Sequence, residues 1–276
     1  MLQKTSLNDA YSYIRFELCG SLFTATIFGR PLNWSLSQLS AKDEKVREEF
    51  SGRLGRALRD LRIGKALAPS PVKFSDRIIA SEELTAQVEA GSHSVWRNPQ
   101  RPADGVPIRS GEACVFSPSS CPTTLMVRGK TALVLHTGRD CLLDRYRLQH
   151  GMRGRTHESI CFSGLEHLGT PREVYVKPFW GIPGALFPHD LEHPVYSRIN
   201  QAMYKMISER WGGDCVPRKG GAFYPDLPKL IRAQCMEQGV PKDHIDLAHA
   251  YQPAKATWLD GKAGTPRNAV VIARHS

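Results

Sequence analysis

The sequence has no long apolar run, no CxxC pair and no internal repeat. A membrane-spanning helix needs about 20 mostly apolar residues, so we expect no membrane span. The missing CxxC spacing argues against a zinc finger. Asp9, Arg15 and Glu17 interrupt the region where a signal peptide would need an apolar stretch, and we therefore expect a cytoplasmic protein.

What is present is typical of a folded globular chain. Its 276 residues are 41% hydrophobic and 23% charged. Seven cysteines, an odd number in a chain where we expect no export signal, predict free thiols, any of which is available as a ligand or nucleophile. The net charge of +10 includes basic clusters at 53–65 and 145–155, but no nucleic-acid-binding signature accompanies them. The charge therefore favours a solvated basic surface, or attraction of a small, anionic substrate, over nucleic-acid binding.

Periodicity and turn residues predict alternating strands and helices. Residues 1–40 have the pattern of early strands or a hairpin. The stretch 41–62 is an amphipathic helix, with apolar residues spaced by three or four. Loops rich in Pro, Gly, Ser and Asn extend to residue 105, apart from an extended stretch that ends at Glu89. Further predictions are a strand pair within 111–136, a strand at 173–182, helices within 193–213 and 224–245, and a final strand at 268–276.

Together these elements predict an α/β (α+β) fold. We expect a single domain over residues 1–276, with a mixed, largely antiparallel central sheet covered by helices.

The segment SSCPTTLMVRGKTALVLHTG carries the main chemical candidates. A tight turn at Arg128-Gly129-Lys130, with a positive φ at Gly129, would join two antiparallel strands. Cys121 and His136, fifteen positions apart, would then lie at the open ends of neighbouring strands. A thiol beside an imidazole is a nucleophile with its base, or a pair of zinc ligands. The alternative is an ordinary buried thiol and a hydrogen-bonded histidine.

Two other features allow a chemical interpretation. His189 and His193 have the i, i+4 spacing of helical zinc ligands, but the flanking Pro188 and Pro194 favour loop or capping histidines. Gly220-Gly221 has no strand–loop–helix phosphate-binding fingerprint around it.

From about residue 102 to 276 the order of several short motifs resembles the laccase-domain family, also called multicopper polyphenol oxidase-like. The matching segments are ADG at 103–105, SC at 120–121, LHTG at 135–138, DLPKLIRAQCMEQGV at 226–240 and TPRNAVVI at 265–272. Members of that family are single-domain α/β proteins described as zinc-dependent purine nucleoside phosphorylases. The resemblance implies a zinc enzyme that cleaves a C–N bond of a purine nucleoside or a similar polar small molecule.

The same resemblance implies a ligand set. Cys121 and His136 match the second and third zinc ligands of the family. Glu89 stands where the first ligand, a histidine, is expected, and His93 is a possible substitute. Arg267, in TPR where the family has TGR, is the candidate for binding an anion, or else a surface arginine. Several substrate-contacting positions differ from the family pattern, namely Ser120, 139–141 and 259–262.

A second, shorter resemblance gives an alternative. CPTTLMVRGKTALVLHTG is similar to the catalytic segment of glutamine deamidases of the cytotoxic necrotizing factor type, in which a Cys and a His work without metal. On this interpretation Cys121 attacks an amide and His136 transfers the proton. A third hypothesis is a degenerate, non-catalytic binding protein of the same fold. One cysteine and scattered histidines do not support a blue-copper oxidase.

Overall fold

The computed structural model describes residues 3–6, 11–70, 76–144, 148, 159–182, 187–252, 257–258 and 266–276, with only the backbone described for 3–6 and 11. Apart from Leu148, the basic cluster 145–155 lies outside these ranges, as do the substituted positions 259–262. In the described part of the chain, no helix is both long enough and apolar enough to cross a membrane.

The strands form two main sheets and one small one. In chain order the strands are β1 (Gln3–Ser6), β2 (Tyr11–Leu18), β3 (Ser21–Phe28), β4 (Lys65–Leu67), β5 (Ala86–Ala90), β6 (His93–Arg97), β7 (Gly105–Ile108), β8 (Glu112–Phe116), β9 (Thr123–Arg128), β10 (Thr131–His136), β11 (Tyr175–Phe179), β12 (His189–Asp190), β13 (Arg218–Lys219), β14 (Ala222–Phe223) and β15 (Ala269–Arg274). The eight-stranded sheet has the order β1-β2-β3-β15-β8-β4-β6-β5, the four-stranded sheet β11-β9-β10-β7 and the small sheet β12-β14-β13.

Pairing is antiparallel except at β4, which runs parallel to both β6 and β8. The sheet is therefore mixed and largely antiparallel, as predicted. The predicted last strand is β15, which pairs with β3 and β8 inside the large sheet. One detail of the sequence interpretation is wrong: the predicted loop before residue 105 contains β6, because His93–Arg97 pair with both β5 and β4.

The helices are α1 (Glu44–Asp60), α2 (Arg139–Leu142), α3 (Ile160–Leu168), α4 (Ser197–Trp211) and α5 (Leu227–Glu237). Side-chain caps begin three of them. Asp43 accepts a hydrogen bond from the backbone N–H of Val46, Ser159 one from that of Cys161, and Asp226 one from that of Lys229. Gly212, immediately after α4, has a φ of 99°, which glycine adopts without strain. The predicted helices are thus confirmed.

The elements stack in four layers. Alternate residues of a strand point to opposite faces, so Leu125 and Val134 face the large sheet while Leu133 and Leu135 face the helices. Helices α2–α5 cover the outer face of the four-stranded sheet. The outer face of the large sheet is covered by α1, through apolar side chains that include Phe50, Leu54 and Leu58.

Candidate active site

Cys121 and His136 lie at the same end of the β9–β10 hairpin. His136 is the last residue of β10 and is paired with Thr123, the first of β9, and the connecting turn has Gly129 at a φ of 54°. The chain before β9 is held in place by Thr137, whose backbone N–H and hydroxyl both donate to the carbonyl of Pro122, at 2.9 and 3.0 Å. The structure therefore brings the thiol and the imidazole to one place.

Gly138 lies next to both side chains, and distances from it show how close they are to each other. A Cβ atom on this glycine would lie 2.9 Å from the Cys121 sulfur and 3.2 Å from Cε1 of His136. Both groups thus border the same small space, which only a residue without a side chain leaves open. Cys121 is half-buried and the His136 side chain is 15% exposed, so the pair is accessible from outside.

Asp104 fixes the orientation of His136. Its carboxylate oxygen Oδ1 lies 2.8 Å from Nδ1 of the imidazole, and its carbonyl accepts the backbone N–H of His136 at 2.7 Å. The Asp104 side chain is fully buried. A buried carboxylate on one ring nitrogen selects the tautomer that carries its proton there. A role for Asp104 was not predicted from the sequence, where its sole signal is the ADG motif within the laccase-domain resemblance.

Cys141, on α2, is the second residue that the sequence analysis missed. Its sulfur lies 3.7 Å from Nδ1 of His136. Burial raises the pKa of the Cys141 thiol to about 11, despite the opposing effect of His136. Asp104, His136 and Cys141 each offer a donor atom within 4.8 Å of the others, which makes them a possible metal-binding group.

The pKa of His136 is raised well above its ordinary value. Burial is the largest influence and acts against the imidazolium. It is outweighed by the charges of the Cys141 and Cys121 thiolates, together with contacts to the Asp104 carboxylate and the Cys121 sulfur. The site therefore favours a positively charged imidazole whenever a neighbouring sulfur is negative.

Glu89 and His93 lie in the β5–β6 hairpin at the edge of the large sheet. Glu89 is exposed and its carboxylate accepts a hydrogen bond from the Gln87 amide at 2.7 Å. His93 contacts the neighbouring Ser92 hydroxyl at 3.2 Å. Neither belongs to the group of donors around His136, and their assignment as metal ligands stays a prediction.

Arg267 lies next to the segment that leads to Cys121. Its guanidinium donates to the hydroxyl of Ser119 at 2.8 Å. Ser119 is only two positions before the thiol, so the arginine is positioned near the site. Its role in anion binding stays a prediction.

The histidines of the PHDLEHP segment are in a strand and a cap. His189 is in β12 and its Nε2 is 2.7 Å from a guanidinium nitrogen of Arg139. His193 accepts the backbone N–H groups of Val195 and Tyr196, both at 3.1 Å. The contacts of His193 agree with the prediction of a loop or capping histidine, whereas for His189 that prediction is wrong because it lies in a strand paired with β14.

Comparison with known proteins identifies related folds only. No protein-family model matches the chain, and neither does any curated protein. A Neisseria meningitidis protein, NMB0706, described under the family DUF152, is 14% identical with a TM-score of 0.62 and 96% of this chain and 99% of that chain covered. YlmD from Geobacillus stearothermophilus is 13% identical with a TM-score of 0.61 and 99% of each chain covered. YfiH, a hypothetical protein of Bacillus licheniformis, is 13% identical with a TM-score of 0.57 and 91% and 92% covered. At 13–14% sequence identity, structural similarity shows a shared fold and nothing about function. The chain therefore has the fold of these three proteins.

Proposed function

We propose that the protein is a cysteine hydrolase or deamidase that acts on an amide. Cys121 is the nucleophile, His136 the general base and acid, and Asp104 the residue that orients the imidazole. The observation that carries this proposal is the 2.8 Å contact between Nδ1 of His136 and the buried Asp104 carboxylate. With Nδ1 engaged, Nε2 is the ring nitrogen left to exchange a proton with the adjacent thiol.

The reaction follows from these positions. The Cys121 thiol passes its proton to His136, and the sulfur attacks the amide carbonyl carbon to form a tetrahedral intermediate. As the C–N bond breaks, the imidazolium gives that proton to the departing nitrogen, which leaves as ammonia or an amine and leaves a thioester on the sulfur. Water then attacks the thioester, with His136 as base. The products are a carboxylate and the regenerated thiol.

The distances around His136 favour hydrogen bonding over metal coordination at Nδ1. Two ligands of a tetrahedral zinc ion, each about 2.0–2.2 Å from the metal, lie about 3.3–3.6 Å apart. The 2.8 Å between Nδ1 and Asp104 is shorter than that, and is an ordinary length for a hydrogen bond. The resemblance of residues 121–138 to metal-independent glutamine deamidases supports the same chemistry, and a glutamine side chain is the amide that it implies.

A second candidate is the zinc-dependent enzyme that cleaves a C–N bond of a purine nucleoside. One observation favours it: Asp104, His136 and Cys141 form a group of donors suited to a metal ion. The fold shared with a DUF152 protein is compatible with the laccase-domain resemblance over residues 102–276. To accommodate zinc at Nδ1, the Asp104 oxygen and this nitrogen would have to move apart by about 0.5–0.8 Å. A bound zinc ion would supply Lewis-acid polarisation of the substrate.

The test uses an activated ester, because a nucleophilic thiol is acylated by such an ester even when the natural substrate is not known. Protein kept in chelator is mixed with 4-nitrophenyl acetate, and the acylated residue is identified by mass spectrometry. We expect a burst of nitrophenolate with the acetyl group on Cys121. Cys121→Ala should abolish the burst and His136→Ala should slow it. The control is Cys19→Ala, which removes the exposed thiol and should leave the burst unchanged.

Ammonia release from glutamine-containing peptides then tests the amide chemistry. A burst that survives in Cys121→Ala would overturn the assignment of the nucleophile. Turnover that requires added zinc and is lost in Cys141→Ser would favour the second candidate instead. Catalytic turnover of either kind, ammonia release in chelator or zinc-dependent cleavage, would exclude the hypothesis of a degenerate, non-catalytic binding protein.

A further inference from the structure

A cavity of about 760 Å³ lies on the outer face of the large sheet, between that sheet and α1. We call it the arginine cavity, and its walls include Tyr13, Arg15, Thr24, Arg53 and Arg56. Its volume is within the range of about 300–1,000 Å³ that small-molecule sites have. The cavity is therefore large enough for a nucleotide-sized ligand.

The arginine cavity is separate from the site around Cys121. On β2, Tyr13 and Arg15 line the cavity, while Ile14 and Phe16 point the other way into the core between the two sheets. His136 is on that far side, with its ring 5.8 Å from the ring of Phe116. A molecule in the cavity would have the large sheet between itself and the thiol, so it is not the substrate of the proposed reaction.

Positive charge dominates the walls. Arg15, Arg53, Arg56 and Arg62 all line the cavity, and Asp60 is the one acidic side chain among the described lining residues. Arg15, Arg56 and Arg62 are exposed, and no acidic side chain in the described part of the chain forms an ion pair with them. Four guanidinium groups outnumber the carboxylate of Asp60, also when the terminal carboxylate of Ser276, another lining residue, is counted. The excess positive charge attracts anions.

The inner wall of the cavity is aromatic. The rings of Tyr13, Phe28 and Trp34 line this wall. The guanidinium of Arg53 is 5.0 Å from the centre of the Trp34 ring.

From these features we infer that the arginine cavity is a second binding site, for a nucleotide-class ligand that combines a flat ring with two or more phosphate charges. The phosphates meet the guanidinium groups of Arg15, Arg56 and Arg62, which match phosphate oxygens in a bidentate manner. The ring lies against the aromatic wall near Tyr13. The number of arginines selects a polyanion over a single carboxylate, because one carboxylate would leave most of the positive charge unneutralised.

Isothermal titration calorimetry with ADP tests the inference, with adenosine and inorganic phosphate as the two halves of the probe. We expect ADP to bind with one molecule per chain, and each half to bind at least about tenfold more weakly. Arg56→Ala should weaken ADP binding by about tenfold or more, as loss of a charge-assisted hydrogen bond does. Arg59→Ala is the matched control, because Arg59 is exposed on the same helix but does not line the cavity.

A second control separates the two sites. Cys121→Ala should bind ADP as the wild type does. The inference is overturned if ADP does not bind, if phosphate alone binds as tightly as ADP, or if Arg56→Ala and Arg59→Ala lose affinity equally. Binding that disappears in Cys121→Ala would also overturn it, because it would place the ligand at the other site.

Discussion

Replacing Gly138 by alanine tests the geometry of the candidate site with one methyl group. Gly138 has a φ of −66° and a ψ of 162°, a conformation that alanine adopts freely. The backbone therefore has no reason to change. The new Cβ would lie 2.9 Å from the Cys121 sulfur, however, whereas nonbonded atoms prefer about 3.5–4.0 Å.

The sulfur must therefore move away by about 0.5–1 Å, most simply by rotation of the Cys121 side chain. A misplacement of about 1 Å in a catalytic group costs about 100-fold in rate. We expect Gly138→Ala to slow the acetylation burst by about 10- to 100-fold and to leave the midpoint of thermal unfolding nearly unchanged. The control is Gly213→Ala, since a Cβ at that position meets nothing within 4 Å. An acetylation rate equal to the wild-type rate, with Cys121 still the acylated residue, would refute the proposed arrangement.

Two further predictions concern the imidazole and the packing of α1. Asp104→Asn should lower the pKa of His136 in an NMR titration, because a carboxylate contact that favours the imidazolium is lost; an unchanged midpoint would mean that Asp104 does not act on the ring. Gly55→Ala should destabilise the fold by about 1–3 kcal/mol or more in urea unfolding, since its Cβ would lie within 3 Å of the backbone of Ala90, which cannot rotate away. In the same helix Gly52→Ala, where the nearest atom is 3.7 Å away at the end of a flexible side chain, should stabilise by about 0.5–1 kcal/mol; equal effects at both positions would contradict the packing of α1 on the β5–β6 turn.

Local signals predicted the elements that carry the thiol and the imidazole. The turn at Gly129 and the apolar runs on both sides of it were enough to predict the β9–β10 hairpin. The hairpin in turn places Cys121 and His136 at one end. Helices α1 and α5 were predicted equally well, because each has an apolar stripe of residues spaced by three or four. These patterns depend on contacts between residues close in sequence.

Contacts between distant residues were not predictable in the same way. Asp104 reaches His136 across 32 positions, through pairing of β7 with β10, and no periodicity in the sequence specifies which strands become neighbours. Cys141 is near His136 because the chain turns into the short helix α2 directly after Gly138. The separation of the strands into two sheets that pack face to face also follows from tertiary pairing and was not predicted.

The most direct test of the central claim compares the alkylation rates of two thiols by iodoacetamide near neutral pH, in chelator. Cys121 and Cys19 are the two cysteines that are not fully buried. Partial burial of the largely exposed Cys19 raises the pKa of its thiol, which slows its reaction, whereas Cys121 has His136 beside it. We predict that Cys121 reacts faster than Cys19 and that His136→Ala removes the difference. Equal rates in the wild type, or a Cys121 rate that does not change in His136→Ala, would contradict the claim that the imidazole activates this sulfur.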